Sequence, residues 1–217
     1  LKDPQLFCNT VYELNNVVMG NNFPPMIASR NYGYASVAAY EAIAAGYPDK
    51  YQTLAGQLNG LQQSLQIADK ENVSVELAAL LAFIKVGEAV TFPEGSMGDY
   101  RDSILALARE KGLPSKVEKA SKVFADSVAA IIIRWSKKDN YAQTRSAEKY
   151  TVMDVPGRWV PTPPMYASAV EPAWKTIRPM VLDSSDQFMP PPPIPFDITN
   201  KNSAYYKQVM AVKNAVD

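Results

Sequence analysis

Residues 74–92 read SVELAALLAFIKVGEAVTF, and this stretch decides the fold. Wound as a helix, it places Leu77, Leu80, Leu81, Phe83, Ile84 and Val86 on most of its faces. A helix apolar nearly all round belongs inside a protein or a membrane. Glu76, Lys85 and Glu88 interrupt the run, so it is too short and too charged to cross a bilayer. Ser74 caps its start, and Pro93-Glu94-Gly95 ends it. A buried helix needs neighbours to surround it, and the flanking sequence supplies them.

Upstream, Asp3-Pro4 pairs an N-cap with proline at the first helical position. Phe7, Val11, Leu14 and Val18 follow at helical spacing, up to Gly20-Asn21-Asn22. Pro24-Pro25 opens a second helix with Ala28, Tyr32, Ala35, Ala39 and Ala42 on one stripe, closed by Gly46 and Pro48. Such small residues let a neighbouring backbone come close, which places this helix inside the bundle. Leu54, Leu58, Leu61 and Leu65 predict a third helix, weakened by Gly56 and Gly60. Downstream, Ser96 with Asp99 begins a helix through Ile104, Leu107 and Ala108, stopped at Gly112 and Pro114. Ser115 and Glu118 form a capping-box pattern for another through Phe124, Val128, Ile131 and Trp135. Residues 203–216 form a last helix through Tyr206, Val209 and Val212. Hairpin turn signals are missing, so the expected fold is all-α, a bundle of about six or seven helices.

The composition changes near residue 140. Between Pro156 and Pro195 lie 11 of the 17 prolines, a density that excludes helix. The same stretch holds Trp159, Tyr166, Trp174, Phe188 and Phe196, too many large rings for a solvated linker. The expected organisation is a helical bundle over 1–140, a Pro/Trp-rich strap packed on it over 141–200, and a helix over 201–217. Within the strap, Trp159 and Trp174 are expected to be substantially buried.

Composition then limits the chemistry. Lys plus Arg and Asp plus Glu number 22 each, so there is no basic excess to neutralise phosphates and a nucleic-acid partner is excluded. Cys8 is alone, so no internal disulfide forms. Histidine is absent, which removes the commonest general base and metal ligand together. Glu41, Glu76, Glu88 and Glu118 lie in predicted helices, but carboxylate-bridged metal sites of bundles also draw on histidine, so these read as hydrogen-bonding side chains. Asn72-Val73-Ser74 matches the glycosylation triplet, although Ser74 already serves as a cap. Pro190 to Pro193 lacks the basic flank of a polyproline ligand and reads as packing.

One ordered set of features resembles a known family. Arg30-Asn31-Tyr32-Gly33-Tyr34 running on to Tyr40-Glu41-Ala42 is similar to an early helix of vanadium-dependent haloperoxidase-like proteins, in the type 2 phosphatidic acid phosphatase superfamily. Pro156-Gly157-Arg158-Trp159-Val160-Pro161-Thr162-Pro163-Pro164 resembles that family's Gly-x-Trp-x-Pro-Thr-Pro-Pro segment. Glu171-Pro172-Ala173-Trp174, Arg178-Pro179, Pro190 to Pro193 and Tyr205-Tyr206 follow in the family's order. The resemblance runs from about residue 24 to 217 and implies a protein of two helical bundles, of which this chain is the first.

It also implies that the vanadate or phosphate pocket belongs to the second bundle. That pocket is built from a Lys with Arg-Pro seven positions on, a Pro-Ser-Gly-His, and a Ser-Arg with His seven positions past the Arg. Arg178-Pro179 imitates the first, but Glu171 stands where Lys is needed, and Lys175 has the wrong spacing. Ser29-Arg30 imitates the third, but Val37 stands where His is needed. No catalytic, cofactor-binding or metal-binding residue is therefore expected in this chain.

Two functions follow. The chain is the scaffold half of an exported or periplasmic acid phosphatase or vanadium haloperoxidase-like protein, inactive alone, its partner the C-terminal catalytic bundle of the same protein. Alternatively, it is a free-standing, non-enzymatic helical binding or structural domain. Export is what the resemblance implies; Leu1 is not a natural start, which is compatible with a trimmed leader.

Overall fold

A computed structural model describes residues 1–67 and 70–217. Among these residues there are seven α-helices and no strand: α1 (Pro4–Gly20), α2 (Pro25–Gly46), α3 (Val75–Val90), α4 (Gly98–Glu110), α5 (Ser115–Ser136), α6 (Tyr141–Thr144) and α7 (Ala204–Val216). Short 3-10 turns occur at Lys70–Asn72 and Trp174–Thr176. The fold is the expected all-α one.

The central helix is α3. Eleven of its sixteen residues are buried, including Leu77, Phe83, Ile84 and Val86, and α1, α2, α4 and α5 pack around it. The small stripe of α2 does what its sequence implies, since Ala35, Ala38, Ala39 and Ala42 are all buried in the same core. On α5 the buried line runs through Ser121, Ala125, Val128, Ile132 and Trp135. The caps read at Asp3 and Ser74 form, and the structure adds one at Ser203. Asp3 accepts from Gln5 N, Ser74 from Leu77 N and Ser203 from Tyr206 N.

Two helix starts differ from the sequence reading. Helix α5 begins at Ser115 behind Pro114, so Ser115 caps nothing, and Glu118 turns instead to Arg109 with two 2.7 Å bonds. The cap position of α4 is Met97 rather than Ser96, whose hydroxyl is buried without a partner.

The helix expected over Leu54 to Leu65 does not form. Gly56 and Gly60 take left-handed backbones, φ +80° and +76°, which turn the chain twice within five residues. A Cβ at Gly60 would also lie 3.2 Å from Arg178 Nη1. The leucines still serve the core from a loop: Leu61 is fully buried, and Leu54, Leu58 and Leu65 pack partly against the bundle. Apolar spacing was present here, but two obligatory turns used it differently.

Beyond α6 the chain runs without long helices to residue 203. Trp159 is 48% exposed, packed edge-to-face with Tyr150 at 5.5 Å between ring centroids, so its expected burial does not hold, while Trp174 is only partly buried. The bundle holds this segment near residues 176–182. Asn59 N donates to Met180 O at 2.8 Å, and its side-chain amide donates to Pro179 O and Leu182 O at 3.1 and 2.6 Å. Helix α7 has no buried residue. Among the described residues, no helix is long and apolar enough to cross a membrane.

Because Leu80 is buried on α3, Leu80→Ala should lower the unfolding free energy by about 2–5 kcal/mol, the usual loss for a core leucine. Val123→Ala, at an exposed site of α5, should change it by no more than about 0.5 kcal/mol in the same denaturant titration.

Candidate functional site

The two partial oxyanion motifs, Ser29-Arg30 and Arg178-Pro179, lie far apart in sequence but meet in space. Both arginines border one cavity of about 370 Å³, together with Tyr34, Asp139, Lys175 and Ser185. Arg30 comes from the first turns of α2. Asp139 follows the end of α5, where the last carbonyls of a helix lack intrahelical partners. Arg178 comes from the strap.

Asp139 is the hub. Its side chain is 1% exposed and ion-paired to Arg30, Nε to Oδ2, at 2.6 Å. Tyr34 OH donates to the same oxygen at 2.9 Å, and Tyr141 N donates to Oδ1 at 2.9 Å. A buried carboxylate with three donors, one of them a cation, meets the usual condition for burying charge. Burial first, then the charge and hydrogen bond of Asp139, push the Tyr34 phenol well above its ordinary range, so it stays a donor.

The arginines are likewise engaged. Arg30 Nη2 reaches Ser136 O at 3.3 Å and Nη1 reaches Asn31 Oδ1 at 3.4 Å. Arg178 donates through Nη2 to Tyr34 OH and Trp135 O, both at 3.1 Å, and through Nη1 to Lys138 O at 3.3 Å. Two guanidinium groups thus satisfy carbonyls at the C-terminal end of α5, where the helix dipole favours cations. The rings of Tyr34, Tyr141 and Trp135 stack the same cations at 4.3–4.9 Å. Arg145 lies on Tyr141 as well and forms a bidentate pair with Glu171, a non-glycine residue held at φ +50°.

This arrangement ties α2, the end of α5, α6 and the strap together. Arg30 and the two Nη groups of Arg178 are occupied by protein acceptors, while Arg178 Nε is buried without a partner, and the geometry suits anchoring. Asp139 and its partner Tyr34 are the residues that motif reading missed as a site, because their contacts join positions 105 residues apart.

The four glutamates weighed as metal ligands do not converge. Glu41 accepts from Thr53 Oγ1 and Leu54 N, Glu76 from Tyr47 OH, and Glu88 from Met97 N, whereas Glu118 pairs with Arg109. That arginine holds the Glu118 carboxyl below the ordinary carboxylate range. Among the described residues there is no group of three side chains able to hold a metal ion.

No protein-family model and no curated protein matches the chain. A solved structure does: the crystal structure of a bacterial vanadium-dependent iodoperoxidase is 40% identical in sequence, with a TM-score of 0.88. The match covers 98% of this chain and 51% of that one, so the chain spans about half the length of this relative.

Removing the hub should leave buried cations without a counter-charge. Asp139→Ala is expected to cost about 3–5 kcal/mol in denaturant unfolding. Tyr34 supplies a pH test. Its folded-state value is raised, so its contribution to stability is complete below the unfolded value of about 10 and is lost as pH rises above it. Tyr34→Phe should flatten that alkaline decline in a pH series of thermal unfolding curves.

Proposed function

We propose that this vanadium haloperoxidase-like chain is the N-terminal scaffold half of an exported, halide-oxidising enzyme of the type 2 phosphatidic acid phosphatase superfamily. Vanadate would be held by a second helical bundle that follows in the same polypeptide. The observation that carries this reading is the 40% identity to an iodoperoxidase over 98% of the chain, at a TM-score of 0.88. A relative of about twice the length leaves room for a partner bundle of similar size.

The donor set supports the division of labour. Vanadate binding calls for converging cations and an imidazole. This sequence has no histidine, and Arg30 and Arg178 are already committed to Asp139, Tyr34 and helix carbonyls. The residues of this chain therefore do not fit the group, and no chemical step is assigned to them.

The surface supports the partner. Val155, Trp159, Met165, Tyr166, Phe188 and Met189 are all well exposed along the strap. On α7, Val209, Val212 and Val216 continue the stripe that Tyr205 begins, also exposed. Exposed apolar area on this scale marks an interaction surface. The α3-centred bundle supplies the rigid platform behind it.

The intact protein loaded with vanadate should oxidise iodide with hydrogen peroxide in a saturable way, and these 217 residues alone should not. Phosphate-ester hydrolysis without peroxidase activity in the intact protein would replace this reading with a phosphatase. Saturable turnover by the 217 residues alone, abolished by one point substitution, would overturn the scaffold assignment.

A further inference from the structure

Among the described residues, one buried charge outside the Asp139 network lacks a counter-ion. Glu41, on α2, is 6% exposed and borders a cavity of about 550 Å³ between the end of α2 and the 51–67 loop. Other well-buried carboxylates of the protein have cations: Asp139 has Arg30, and Glu118 has Arg109. Among the described residues Glu41 has no ion pair. Its two oxygens accept one neutral donor each, Thr53 Oγ1 and Leu54 N, both at 2.6 Å. Each carboxylate oxygen retains a second acceptor direction.

The rest of the cavity fits a particular chemistry. Among the described residues no lysine or arginine lines it. Gln57, Ser64 and Gln66 offer further oxygen acceptors, and Gln57 spends its amide Nε2 on Thr53 O, which leaves Oε1 to accept. Ala44, Pro48 and Leu65 provide apolar wall between them. The space would hold several non-hydrogen atoms. A metal ion is a poor occupant, because one carboxylate stands alone and no three-ligand group exists among the described residues. A neutral polyol would leave the buried charge uncompensated.

We propose that this cavity binds a small alkyl ammonium ion, its charged head paired with Glu41 and its carbon chain laid on the apolar wall. The three N–H donors of an ammonium match the carboxylate plus the glutamine and serine oxygens. The site is separate from the Asp139 network and does not depend on the peroxidase reading.

Isothermal titration calorimetry of the purified intact protein with n-butylammonium at low ionic strength tests it. Saturable one-to-one binding is expected, with no heat from 1-butanol, which has the same carbon chain and no charge. Glu41→Gln should weaken butylammonium binding by about tenfold or more, the loss of one charge-assisted contact. Gln57→Lys, which tethers an ammonium in the cavity while leaving Glu41 and its two donors in place, should abolish binding in a protein with unchanged circular dichroism. Absence of saturable butylammonium binding overturns the proposal, as does equal binding of butanol or unchanged affinity in Gln57→Lys.

Discussion

The carboxylate of Asp139 is the constraint on which the rest of the arrangement depends. It lies just past the last turn of α5, buried to 1% exposure, and it draws Arg30 from α2 and the Tyr141 amide from α6. Tyr34 bridges it to Arg178, whose own backbone N–H donates to Asp139 O at 2.9 Å. Burying an acid demands cations and donors around it; the donors come from α2 and α6, and Tyr34 links them to Arg178 of the strap. Satisfying one charge therefore fixes where the strap crosses the bundle. The same arginines quiet the unpaired carbonyls at the end of α5, so helix termination and strap docking are one event.

The two sides of this anchor behave differently. Behind it, α1 to α5 enclose α3 in a closed apolar core. Beyond it, the strap and α7 display valines, methionines and rings to the outside. Exposed apolar residues of this kind, on a chain that spans 51% of a related peroxidase, fit the proposed role of a scaffold that presents a surface to a partner. The absence of histidine and the internal commitment of both arginines fit the same division between support and chemistry.

Much of the fold was legible because it follows local rules. The apolarity of residues 75–90 on most faces announced the central helix, Asp3-Pro4 and Ser74 marked true helix starts, and alanines spaced along α2 announced close packing. The Leu54 to Leu65 stretch misled because leucines at helical spacing say where apolar contact is needed, not what backbone delivers it. Gly56 and Gly60 decided that in favour of turns. Ser115 with Glu118 looked like a reciprocal cap, yet a guanidinium nine residues upstream outcompeted a backbone amide. The site was less legible. Arg30 and Arg178 were visible as failed motifs and as parts of the family resemblance, and nothing in their spacing showed that Asp139 joins them. Interactions across more than a hundred positions leave no local period to read.

The central claim, that a second bundle of the same polypeptide covers the strap and α7, is tested most directly by hydrogen–deuterium exchange. The comparison is between the intact protein and these 217 residues alone. The account predicts strong extra protection in the intact protein at α7 and along residues 150–198, with α3 equally protected in both. Identical exchange at α7 and the strap in the two samples would contradict it.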